Sequence, residues 1–153
     1  MFYTKSGREI YFNGEEYQNL EAKNSMFTGI NNLGDLFAVL LKAWCKETAY
    51  PSCQKDYIYE NDPTYGQCAI TATLVHDIFG GTIHKIRVDG GGTHYFNIID
   101  GHYIDLTSDQ FDLYDIPLSY DNHQVVPREY CGKNGDTLKR FNLLVERIEL
   151  VNK

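Results

Sequence analysis

Cys68, His94 and Asp105 follow one another along the chain as nucleophile, base and orienting acid. Together these residue types carry acyl transfer: a thiolate attacks a carbonyl carbon, an imidazole takes the thiol proton, and a carboxylate fixes the imidazole tautomer. Cys68 lies near the start of GQCAITATLVHDIFGG, a segment that reads as a helix. Unpaired N–H groups and the helix dipole favour an anion there, which raises the thiolate fraction of a thiol. The Cys68 backbone N–H points out of the helix start and can donate to an oxyanion. His76 is excluded as the base, because eight helical residues separate it from Cys68 by roughly 12 Å of rise. Two other readings stand beside this one. Free cysteine is among the most buried residue types, so Cys68 can be plain core. Cys68, His94 and Asp105 could also ligate a metal, but they lack the spacing of a zinc motif and no C-x-x-C pair occurs.

A hairpin must bring the base and the acid together. Asp100-Gly101 is a two-residue turn signal between two strand-like runs. It sets a register in which Ile99 pairs with His102, Ile98 with Tyr103, Asn97 with Ile104, Phe96 with Asp105, Tyr95 with Leu106, and His94 with Thr107. His94, Phe96, Ile98, Tyr103, Asp105 and Thr107 then share one face, and Asp105 is the diagonal neighbour of His94, with Cβ atoms roughly 7 Å apart. A slip of one residue would separate them. Asn97 falls on the opposite face. His84, His102 and His123 read as surface or partly buried residues.

The elements around this hairpin follow from pattern and punctuation. FYTK and REIYF flank Ser6-Gly7, and Asn13-Gly14 closes the second run, giving an N-terminal hairpin. Asn32 or Gly34 opens a helix carrying Leu33, Leu36, Phe37, Leu40, Leu41 and Trp44 at a 3.6-residue spacing. Pro51 to Asp62 reads as loop. Asp62-Pro63 then predicts a helix over about Thr64 to Phe79, apolar all round and so buried, with a left-handed cap at Gly80-Gly81. Strands are predicted at Ile83–Val88, Thr93–Ile99 and His102–Thr107, with a DGGG loop between the first two. Phe111 to Tyr130 reads as loop with short turns. Asp136 or Thr137 caps a last helix with Leu138, Phe141, Leu144, Val145 and Ile148 on one face.

The 153 residues fit one domain, divided here into a hairpin addition (1–32) and a core (33–153). A net charge of −7 argues against nucleic acid and against an anionic membrane surface. LFAVLL is too short to span a bilayer and the N-terminus has no signal-peptide pattern, so a cytoplasmic protein with four free thiols is expected.

WCKET, DPTYGQCAITATLVHDIFGG, GGTHYFN and IDLTSDQF, in that order, with FNLLVERIEL at the end, resemble the YunG-like family of small bacterial proteins. The resemblance covers about Leu33 to Val151, and that family has no established activity. More distantly, the Cys, His, Asp order is similar to the transglutaminase-like branch of papain-fold cysteine enzymes. That similarity implies an α+β fold in which a central buried helix, with Cys68 at its start, packs on an antiparallel sheet carrying His94 and Asp105. Ala69 follows the cysteine where transglutaminases often carry an aromatic residue.

These readings combine into one expectation: a Cys68–His94–Asp105 triad for hydrolysis or acyl transfer at an amide or thioester, with the Cys68 N–H and the Gln67 side chain at the oxyanion. The substrate would be a peptide, a protein or a small acyl compound, with no cofactor and no metal. The first rival is a non-catalytic protein-binding module, built on surface tyrosines and the added hairpin. The second is thiol sensing at Cys68.

Overall fold

The computed structural model describes residues 1–88, 92–114, 116 and 118–152. The chain opens with strands β1 (Phe2–Tyr3) and β2 (Glu9–Ile10), paired antiparallel as Phe2 with Ile10 and Tyr3 with Glu9. The hairpin expected at Ser6-Gly7 is present, although each strand is two residues long. Its apolar side chains enter the main core. Phe2 and Phe12 set their rings 4.9 and 4.7 Å from that of Phe37, and Ile10 is fully buried. The segment is therefore packed into the domain instead of being hung on it.

Helix α1 (Leu33–Ala43) starts at Asn32, whose side chain accepts the Asp35 N–H at 2.8 Å. Its predicted stripe is buried throughout. Trp44, just past the helix end, donates its indole N–H to Thr71 Oγ1 at 3.0 Å. Pro51 opens a short helix, α2 (Pro51–Gln54), inside the stretch expected to be loop.

Helix α3 spans Cys68–Phe79, four residues later than the Asp62-Pro63 signal predicts. Asp62 instead caps a local turn, accepting the Thr64 N–H at 3.2 Å and the Thr64 hydroxyl at 3.1 Å. Gly66 explains the delay. Its φ of +74° is left-handed, and a Cβ there would lie 2.9 Å from Cys53 Cβ and 3.1 Å from Tyr50 N. The chain must break at Gly66 before it can enter α3. Cys68 becomes the first residue of the helix, where its N–H has no intrahelical acceptor. The helix ends at Gly80-Gly81, both at positive φ, as expected.

Four antiparallel strands follow, β3 (Thr82–Arg87), β4 (Thr93–Ile99), β5 (His102–Ile104) and β6 (Gln124–Val126), in the order β5-β4-β3-β6. Asp89 to Gly91, most of the expected DGGG loop, lies outside the described residues. Strand β6 lies inside the predicted Phe111–Tyr130 loop and pairs with β3; three residues are too few to show a period. Short helices α4 (Asp109–Leu113) and α5 (Tyr130–Lys133) flank it. Helix α6 (Gly135–Val151) is capped by Asn134, which accepts the Asp136 N–H, so neither Asp136 nor Thr137 is the cap. Phe141, Leu144 and Ile148 are buried as predicted, whereas Leu138 is exposed and Thr137 and Arg140 face inward.

Helix α3 is buried along most of its length and packs on the sheet through the Asn97 side of β4. Asn97 donates its amide to Ala72 O at 2.9 Å, tying strand to helix. The described residues form a mixed α+β fold, and no helix among them is long and apolar enough to cross a membrane.

Phe12→Ala should cost about 3–5 kcal/mol of unfolding free energy in urea, the range for removing a buried aromatic ring. A loss below about 1 kcal/mol would mean that the N-terminal segment is a detachable appendage.

Candidate functional site

The Asp100-Gly101 turn sets the predicted register. Asn97 pairs with Ile104, Ile98 with Tyr103 and Ile99 with His102. Asp105 then departs from the expected ladder. It does not pair with Phe96; it bridges Asn13, donating its N–H to Asn13 O at 2.8 Å. The predicted pairs Tyr95–Leu106 and His94–Thr107 likewise lie beyond the β4–β5 ladder. Asp105 nevertheless reaches His94. The His94 Nε2 and Asp105 Oδ2 atoms are 2.6 Å apart, and both side chains are 1% exposed. A carboxylate only accepts, so Nε2 carries the proton in this contact.

Further bonds hold the carboxylate. Oδ1 accepts the Thr107 N–H at 3.1 Å and the Thr107 hydroxyl at 3.3 Å, and Oδ2 also accepts the Tyr120 hydroxyl at 2.8 Å. The Phe111 ring stands edge-on to His94 with centroids 4.6 Å apart. Burial alone would lower the His94 pKa. The charge of Asp105 and its hydrogen bond, with a further rise from the nearby Cys68 side chain, outweigh burial and push the pKa up to about 10. His94 Nδ1 is buried and has no hydrogen-bond partner among the described residues. No hydrogen bond joins it to Cys68 in this conformation.

Cys68 is half-buried at the start of α3. It lines a cleft of about 610 Å³ together with His94, Tyr95, Gln110, Phe111 and Tyr130. Apart from His94, the charged residues lining this cleft among the described residues are Lys133 and Arg140, the latter ion-paired to Asp136. Cys53 lines the same cleft, and all four cysteines are unpaired. Gln67 is fully buried and is not among the lining residues. Its Oε1 accepts the Thr48 hydroxyl at 2.9 Å, and its Nε2 donates to Cys45 O at 2.9 Å. A Gln67 side-chain N–H also meets the Tyr57 hydroxyl, so the amide is turned into the interior and away from the oxyanion position expected above.

The other histidines lie elsewhere. His76 bonds Gly81 O, His102 stacks on Tyr17, and the Nδ1 atoms of His84 and His123 are 3.0 Å apart. Among the described residues, no group of three His, Cys, Asp or Glu could hold a metal ion. Sequence reasoning missed Asn13 and Tyr120. Asn13 reads in sequence only as half of a turn signal, and Tyr120 stands in no motif; both meet Asp105 from outside the β4–β5 hairpin.

A sequence model of the YunG protein family matches residues 32–152. The chain belongs to the YunG family. The match contains Cys68, His94, Asp105 and Tyr120, and it starts at the Asn32 cap, leaving the N-terminal hairpin outside. The chain is 46% identical over 61 residues to the Uncharacterized protein YunG of Bacillus subtilis (strain 168). That alignment covers 40% of this chain and 50% of the relative, so the chain spans about half the length of the curated protein it matches. No solved structure matches.

The His94 shift makes a prediction about stability. Folding raises this pKa from 6.5 to about 10. The protonated pair therefore stabilises the fold fully below about pH 6.5, and the contribution is lost as pH rises through about 10. In urea unfolding, the gap between wild type and His94→Gln should be widest in acid and close on the alkaline side. A gap that widens with pH contradicts this.

Proposed function

We propose that the protein is a cysteine-dependent hydrolase or acyltransferase acting on an amide or thioester, with Cys68 as nucleophile, His94 as base and Asp105 as the orienting acid. One observation carries the reading. His94 is held through Nε2 by Asp105, its Nδ1 is buried and unpartnered among the described residues, and His94 lines the same cleft as Cys68. An imidazole fixed at one nitrogen and open at the other is arranged to exchange a proton with a neighbour.

In this mechanism the Cys68 thiol gives its proton to His94 Nδ1, and the resulting ion pair persists because Asp105 balances the imidazolium. The sulfur attacks the carbonyl carbon. The oxyanion is met by the Cys68 N–H at the free end of α3. The C–N or C–S bond breaks as His94 protonates the leaving amine or thiol. Water or an amine then attacks the thioester, returns a proton to His94 and releases the acyl group. A helix that starts at the nucleophile and packs on an antiparallel sheet bearing base and acid supports a transglutaminase-like core of papain type. Lys133 at the cleft suits a substrate with an anionic or strongly polar flank.

Alkylation by iodoacetamide, followed against pH in wild type and in Cys45→Ala, Cys53→Ala, Cys68→Ala, Cys131→Ala and His94→Ala, tests this reading. Cys68 should be the thiol that reacts quickly below neutral pH, and His94→Ala should slow it by about tenfold or more. A Cys68 that reacts only after unfolding is a core residue. Fast reaction that ignores His94 would favour thiol sensing.

A further inference from the structure

We infer that Asn13 and Tyr120 are positioning residues that brace Asp105 against His94, so that the N-terminal segment completes the site built by residues 32–152. The inference rests on the Cys68–His94–Asp105 reading above and deepens it.

The bonding directions leave little freedom. The Asn13 side-chain N–H can only donate, and it meets the Tyr120 hydroxyl oxygen at 2.5 Å. The Asp105 carboxylate can only accept, and it takes the Tyr120 O–H at 2.8 Å. Asn13 thus occupies an acceptor site on the phenol oxygen and leaves the Tyr120 proton aimed at Asp105. The oxygen that Tyr120 reaches, Oδ2, is the one bonded to His94 Nε2. Oδ1 is tied separately by Thr107. A carboxylate tied at both oxygens cannot turn about its Cβ–Cγ bond. Without Tyr120, only the imidazole N–H itself holds Oδ2, and nothing else keeps that oxygen on the line of the bond.

Asn13 also holds the backbone beneath this carboxylate. Its carbonyl accepts the Asp105 N–H at 2.8 Å, and its own N–H donates to Ser108 Oγ at 3.0 Å. Phe12, next in sequence, is packed into the core, so Asn13 is anchored at the side that must not move. The matched family region begins at residue 32, so this support comes from outside it.

Asn13→Ala, Tyr120→Phe and the double variant test the brace, with Cys68 alkylation below neutral pH and the NMR titration of the His94 ring as readouts. Each single variant should slow alkylation about three- to tenfold, the scale of losing one ordinary hydrogen bond. Because Asn13 acts through the Tyr120 hydroxyl, the double variant should be no slower than Tyr120→Phe alone. The His94 titration should move to lower pH in all three. Wild-type rates in the single variants, independent additive losses, or an unmoved or raised His94 titration would overturn the brace. If wild-type Cys68 proves inert, the nucleophile reading fails by itself. The brace is then decided by the His94 titration, which must still fall in both single variants.

Discussion

A buried carboxylate pressed against a buried imidazole makes demands on everything around it. Removing both groups from water costs several kcal/mol each, and their attraction offsets this only when geometry is good and the remaining lone pairs are satisfied. Asp105 meets that condition with donors at both oxygens: Thr107 on one, His94 and Tyr120 on the other. The surrounding architecture supplies those donors. Strand β4 presents His94, the end of β5 delivers Asp105, and the irregular segment between α4 and β6 brings in Tyr120. Phe111 seals the imidazole from the side. His94, whose Nδ1 has no partner among the described residues, lines the cleft that Cys68 opens onto.

Much of this was legible from local signals. Asp100-Gly101 adopts positive φ at both residues, as a tight two-residue hairpin turn requires, and the first three predicted pairs form. The face assignment of His94 and Asp105 survives although the ladder stops at Ile104, because alternation continues for one more residue after pairing ends. The replacement partner, Asn13, could not be read from sequence. Its bridge to Asp105 joins segments about ninety residues apart, and no period or turn chemistry encodes such a contact. Tyr120 is fifteen residues from Asp105, but it sits in an irregular stretch where no period or turn signal points back to the acid.

The start of α3 shows a local signal overridden by tertiary packing. Asp62-Pro63 has the chemistry of a helix cap, but the Asp62 side chain closes a turn, and Gly66 must turn left-handed where Cys53 and Tyr50 approach. The shift favours the proposed chemistry. It moves Cys68 to the first helical position, where a free N–H and the helix dipole act together. The N-terminal hairpin, an addition outside the family match, shares the core of the domain. Its separate look in sequence comes from its turns, while its phenylalanines belong to the core formed around Phe37. A chain of the YunG family that begins its family match at Asn32 thus relies on earlier residues both for packing and for holding the acid.

The central claim is that His94 keeps Cys68 ionised. The ultraviolet absorbance of thiolate, recorded against pH as the difference between wild type and Cys68→Ser, reports this without any substrate or reagent. The account predicts a Cys68 thiolate signal that persists below neutral pH and is lost there in His94→Ala. A signal that appears only in alkaline solution, unchanged by His94→Ala, would contradict it.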